Sequence, residues 1–239
     1  MTALPEKFLL WNYFPRRGTL KKFVEQGFHD ETSMSSFLLE SVRHNPALCT
    51  AFQKADGSVF VNAKIVGVGY VLKENLIPDA VKAFVKHVEF GDELFKKANS
   101  DSEKRKAFEE YQKNGAALLL KHVYLEPGTA EERVDFAKLA TVELALSKEK
   151  SSKHTWQAVQ HNANACLLFY QPPSVSFEVR GTIGIHEGDG YHEFVNLVHD
   201  LFHYSSPEKR SERRPVYVFS VDEVYDNSAA STGFGVRLA

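Results

Sequence analysis

Apolar and polar residues alternate along this chain with two different periods, and each change of period marks an element. Over residues 174–185 the period is two: Val175, Phe177, Val179, Ile183 and Ile185 share one side, Ser176, Glu178, Arg180 and Thr182 the other. A half-buried strand reads this way because successive side chains point to opposite faces of its sheet. Residues 48–54 and 59–72 read as two more strands, and Asp56-Gly57 between them supplies the positive φ of a tight hairpin turn. Apolar runs at 136–146, 165–170 and 216–225 complete the strand set, with Pro172-Pro173 forcing a turn. Helical spacing appears at Phe37, Leu38, Ser41 and Val42 after a serine-rich start, and Asn45-Pro46 ends that helix.

Between residues 75 and 133 the strand pattern stops. Val81, Phe84, Val85 and Val88 have helical spacing, and residues 102–114 read as a second helix with Gly115 just past its end. Thr129 to Glu132 has the spacing of a capping box, which predicts a third helix start. Residues 191–203 predict one more helix, while 1–30 read as irregular and aromatic-rich and 226–239 as a polar tail. Strands and helices are segregated rather than alternating, which gives an α+β fold with a mainly antiparallel sheet.

Composition narrows the function classes. The 239 residues are 43% hydrophobic and 25% charged, the balance of a globular protein with a sizeable core. A formal net charge of -2 argues against a dedicated nucleic-acid binder. No apolar run reaches the roughly 18 residues of a membrane span, and the apolar group Phe8 to Trp11 is too short for a signal segment. The expectation is therefore a cytoplasmic chain without membrane contact. Two cysteines, Cys49 and Cys166, lie in apolar strand-like runs; they form neither a disulfide framework nor a metal spacing.

Three stretches carry candidate chemistry. The first runs from Ser147 to Gln157, a strand-to-helix junction holding Lys148, Lys150, Lys153, three serines and Thr155. A helix start presents unpartnered N–H groups and a partly positive dipole end, which suits an anion; the same composition also describes an exposed lysine-rich turn with a serine cap. The second is the pair Asn62 and Lys64, on one face of an otherwise apolar strand, facing either solvent or a polar ligand. The third is a stripe of His192, Asn196, His199 and His203 on one side of the last helix, with Phe194, Val198, Leu201 and Phe202 opposite. Exposed polar surface is the first reading of that stripe, with a dimer contact, a metal or a haem as the others. No nucleophile elbow, zinc-protease motif or six-position glycine fingerprint is present, so no catalytic acid, base or nucleophile is assigned and no metal is expected.

The order of these elements resembles the FMN-binding split β-barrel family, which includes the pyridoxamine-phosphate oxidases. The likeness rests on Asp56-Gly57, Val61-Asn62, Lys153-His154-Thr155, Asn162-Ala163-Asn164 and Val179-Arg180-Gly181, and covers residues 48–72 and 136–225. It implies one domain over residues 1–239, a split barrel with a helical insertion at about 75–133 that departs from the family pattern. By that resemblance the cofactor is FMN: Lys148, Ser152, Lys153 and Thr155 stand on its phosphate side, Asn62, Ala63 and Lys64 are strand contacts, and Ser147 is a polar neighbour of the ring. The implied assembly is a homodimer with flavin at the interface. The implied function is oxidoreductase chemistry on a small molecule; the alternative is a flavin- or haem-binding module without turnover.

Overall fold

The structure, a computed structural model, describes residues 1–27, 31–144, 153–211 and 214–239. Its strands are β1 (Ala47–Gln53), β2 (Val59–Ile65), β3 (Gly69–Leu72), β4 (Val134–Val142), β5 (Asn164–Gln171), β6 (Val175–His186), β7 (Val216–Asp226) and β8 (Val236–Arg237). They form one antiparallel sheet in the order β2-β1-β5-β6-β7-β4-β3, with β8 on β7. The two ends of that path, β2 and β3, are consecutive in the chain. A sheet whose edges are joined by three residues must curl until the edges meet, and here they meet without pairing. The fold is an α+β split barrel, mainly antiparallel, with its seam between β2 and β3.

The seam corrects one sequence expectation. Residues 59–72 are not one strand: the chain breaks at Val66-Gly67-Val68. There the Val66 and Val68 N–H groups donate to the carbonyls of Pro46 (3.0 Å) and His44 (2.8 Å). Those bonds turn the chain, so that β3 leaves β1 and pairs with β4 instead. Periodicity continues through the break because Val66 and Val68 are both buried. Hydrophobic pattern reports burial; it does not report the change of partner.

The Asp56-Gly57 hairpin forms as expected. Gly57 takes a φ of 84°, and the Ser58 N–H donates to Asp56 Oδ1 at 2.9 Å. β6 carries its alternation into the core through Phe177 and Val179. The bulge that lets it keep pairing with β7 falls at Arg180/Gly181. A Cβ on Gly181 would stand 1.9 Å from the Ser220 carbonyl oxygen, so that position has room only for glycine.

Helices cover the barrel. The N-terminal residues, expected to be irregular, form α1 (Glu6–Trp11) and α2 (Tyr13–Gln26), which pack Phe8, Tyr13, Leu20 and Phe23 into the core. α3 (Glu31–Ser41) follows. Between β3 and β4 run α4 (Ile77–Lys97), α5 (Asp101–His122) and α6 (Pro127–Arg133), and α8 (Gly190–Asp200) packs against α4. Two boundaries differ from expectation. The capping box sits at Ser100 and Glu103, where each caps the other, while Thr129 to Glu132 lie inside α6. Gly115 is an interior residue of α5 rather than its terminator: its missing side chain admits the Leu201 carbonyl, which a Cβ would approach to 1.8 Å.

Candidate functional site

A cleft of about 710 Å³ opens on the seam. Its walls are β2, the Val66-Gly67 link, the end of β4, the start of α7 (His154–His161) and the far end of α8. Each wall is there for a local reason. β2 turns its odd residues outward, so its even ones, Asn62 and Lys64, face inward and line the cleft. Of the two alternatives for this pair, the structure selects the cavity over open solvent.

The polar groups are held in place. Asn62 Nδ2 donates to Thr155 Oγ1 at 3.0 Å and more weakly to Thr50 Oγ1 at 3.4 Å. Both amide hydrogens point to those hydroxyls, and among the described residues no donor is bonded to Asn62 Oδ1. Thr155 is 1% exposed, so its hydroxyl is fixed by α7 and β2 together. Lys64 Nζ meets Glu143 Oε2 at 2.6 Å, and the buried Tyr217 hydroxyl donates to the same oxygen at 2.9 Å. Burial first, and then that carboxylate, drive the Tyr217 hydroxyl well above the usual phenol range. Lys64 therefore balances a buried carboxylate before it meets any ligand.

α7 begins at Lys153, whose side chain makes no capping bond to the helix and instead reaches the Leu144 carbonyl at 3.3 Å. Neither Lys153 nor any other described side chain caps that end, so the helix start faces the cleft with its positive dipole exposed. Five of the expected site residues are thus brought together: Asn62, Ala63, Lys64, Lys153 and Thr155 all line one cavity. The other three, Ser147, Lys148 and Ser152, lie outside the described residues.

The histidine stripe departs from its first reading. His192 and Asn196 are buried, 8% and 3% exposed, and only the far end of the stripe reaches open space. Asn196 bonds the carbonyls of His192 and Arg214, both at 2.9 Å, so it ties α8 to the start of β7. His199 and His203 line the cleft, with rings 4.9 Å apart. His199 Nδ1 lies 3.1 Å from Asp200 Oδ1, which also receives Arg214 at 2.7 Å. Burial raises the Asp200 carboxyl, but the bonds from His199 and Arg214 outweigh it and hold the group below the usual carboxylate range. Arg214 Nη1 also lies 3.3 Å from His199 Nδ1, but the Asp200 carboxylate is nearer and can only accept, so Nδ1–H is assigned to it and Nε2 remains as the ring's acceptor. The helical period placed these residues on one face. It could not show that α8 would pack against α4, β3, β4 and β7 and leave half of that face buried. Among the described residues no group of three His, Cys, Asp or Glu is placed to hold a metal.

Comparison with known proteins returns no matching family model and no matching curated protein. Solved structures do match. HupZ of Group A Streptococcus is 10% identical with a TM-score of 0.38, over 83% of this chain and 94% of that one. A candidate pyridoxamine 5′-phosphate oxidase from Listeria innocua is 11% identical with a TM-score of 0.34, over 81% and 97%. General stress protein 26 from Bacillus anthracis is 8% identical with a TM-score of 0.33, over 88% and 92%.

Proposed function

We propose that this protein is an FMN-dependent oxidoreductase acting on a small molecule, with the flavin in the seam cleft and the cleft completed by a second copy of the chain. The observation that carries the proposal is the cleft itself: a space of about 710 Å³ that joins an inward-facing amide on β2 to a helix start that no described side chain caps, with a lysine beside it. The residues fit the group. The volume is within the range of cofactor sites. Lys153 and the first turn of α7 supply charge and N–H donors for a phosphate. Asn62 Oδ1 is an acceptor for the pyrimidine edge, and Val66 and Val142 supply an apolar wall. When bound, the flavin supplies the redox chemistry. The chain's own part is to neutralise the phosphate through Lys153, to hold Asn62 rigid through Thr155, and to keep water from the wall at Val66 and Val142. His199, held by Asp200, is placed to give or take a proton at Nε2.

A second copy enters because the outer face of β2 is apolar and uncovered. Val59, Val61 and Ile65 are 64%, 72% and 70% exposed on an edge strand, and Leu168 and Tyr170 are exposed on β5, beyond β1 in the same sheet. A monomer gains nothing from such a face, whereas a twofold partner buries it.

The test is a titration of purified protein with FMN followed by flavin fluorescence, then mixing of the complex with NADH or NADPH without oxygen. Lys153→Ala is expected to weaken FMN by roughly ten- to a hundredfold, the loss of one charge-assisted bond, while Lys104→Ala on α5 leaves it unchanged. Equal affinity in the two variants would remove Lys153 from the site. Binding with no bleaching by either nicotinamide or other small donors favours a binding module over an enzyme. His199 and His203 on the cleft wall give the haem form of that alternative a ligand type; a Soret band in place of flavin absorption would select it.

A further inference from the structure

Behind the cleft lies a second cavity, of about 370 Å³, and the two share Gly67, Thr141, Val142, His199 and His203 as a common wall. The inner cavity is walled by α2, α3, β3, β4 and α8. Phe37, Tyr70, Tyr124, Phe194 and Phe202 place five aromatic rings in its lining. Into that lining the fold sets two polar groups that packing alone does not need.

The first is Arg16. Its Nη1 donates to Ser41 Oγ at 2.9 Å, and its guanidinium carbon stands 5.2 Å from the centre of the Phe37 ring. Its neighbours in sequence and space have counter-ions: Arg17 pairs with Glu126, and Arg43 with Glu40. Among the described residues no carboxylate lies within ion-pair distance of Arg16. Desolvation lowers its pKa against the opposing pull of the Tyr124 hydroxyl, yet a guanidinium stays charged in a protein. Among the described residues that positive charge on the cavity wall is unbalanced.

The second is His44, only 6% exposed, with neither ring nitrogen in a well-formed hydrogen bond among the described residues; the Asn12 backbone is its nearest polar influence. A buried polar ring left open is uncommon and marks a place where a partner is missing. Burial first, then the charges of Arg16 and Arg43, keep the imidazole neutral, so it offers one donor and one acceptor.

We propose that the inner cavity binds a flat, apolar organic acid, its carboxylate on Arg16 and its ring system between the aromatic walls, with the far end passing Gly67 and His199 into the cleft. The acid supplies the missing counter-ion, and its apolar body replaces water that the aromatic walls hold poorly. As the substrate class of the oxidoreductase it rests on the flavin reading; as a binding site it does not. His199 then stands where the acid's far end meets the cleft.

The experiment is calorimetric titration of the full chain, without added FMN, using 2-naphthoate and its neutral counterpart 2-naphthalenemethanol. Naphthoate is expected to bind at least roughly tenfold more tightly than the alcohol, and Arg16→Gln to erase that difference while leaving the alcohol unchanged. Val198→Trp, which fills the cavity from α8, should abolish both ligands whether or not Arg16→Gln folds, with a melting curve confirming that the variant is intact. Equal affinity of wild type for acid and alcohol, no binding of either, or undiminished naphthoate binding by Arg16→Gln or Val198→Trp each overturns the proposal. The flavin reading has its own readout: naphthoate binding by a chain that does not take FMN sinks that reading and leaves this one standing.

Discussion

At the scale of single residues, two buried polar groups decide more than their size suggests. Tyr13 is fully buried, and its hydroxyl donates to the Val123 carbonyl at 2.7 Å and accepts from the Leu125 N–H at 2.7 Å. It closes the chain end that follows α5. Tyr13→Phe keeps the ring and strands both backbone groups, so urea unfolding should show a loss of about 1–3 kcal/mol with an unchanged slope. His44 acts through pH. Its folded-state pKa lies well below its unfolded value because burial and two arginines disfavour the cation. The fold therefore has its full stability above about pH 6.5 and loses it as pH falls below that, by up to about 1.4 kcal/mol per unit. His87, buried against Tyr111, is lowered in the same sense and adds to the loss. Asp200 is depressed too, but as an acid: its stabilisation is present above the ordinary carboxylate range and is lost only below it, outside this window. Unfolding measured at pH 7.5 and 5.5 should show a smaller difference in His44→Leu than in wild type; an equal difference would mean that His44 is charged in the fold.

At the scale of elements, the end of α8 and the turn after it carry His199 and His203, and they are fixed from α4 and α5. The Leu201 carbonyl sits against Gly115 and 3.3 Å from His87 Nε2, and the Tyr111 hydroxyl donates to the Asp200 carbonyl at 2.5 Å. In an isolated helix Gly115→Ala would gain about 1 kcal/mol of propensity. Here the added carbon meets backbone that cannot swing aside, and overpacking of that kind costs about 1–3 kcal/mol or more. The clash wins. Gly115→Ala should lower the melting temperature and also perturb FMN binding, whereas Gly18→Ala, on α2 with no atom near its missing side chain, should do neither. A stable Gly115→Ala with normal FMN affinity would show that α5 and α8 can slide apart.

At the scale of the molecule, the outer face of β2 is edge and apolar at once, a combination that monomers avoid. Light scattering should give twice 27.0 kDa for the wild type. Val61→Asp places a charge at the middle of the strip, 72% exposed in one chain, and should yield a monomer of unchanged melting temperature but weakened FMN binding. A dimer that survives Val61→Asp would move the interface elsewhere. No described helix is long and apolar enough to cross a membrane.

Sequence by itself settled what depends on near neighbours. Alternation over β6, the Asp56-Gly57 turn, the paired polar face of Asn62 and Lys64 and the antiparallel α+β class are all written in spacing, because strand period and turn geometry are local. The grouping of Asn62, Ala63, Lys64, Lys153 and Thr155 was legible only through the order of elements, since no spacing in the chain says that β2 and α7 meet. What tertiary structure decided is what distant backbone does. It broke the 59–72 run at Val66-Gly67-Val68 by bonding it to His44 and Pro46, and it made Gly115 a contact with Leu201 rather than a helix end. It also turned a histidine stripe that looked like surface into a half-buried wall. In one cavity it set Arg16 with no counter-ion and His44 with no hydrogen bond among the described residues. Each of these depends on which surfaces pack together between elements far apart in the chain, and a pattern of neighbours holds no record of that.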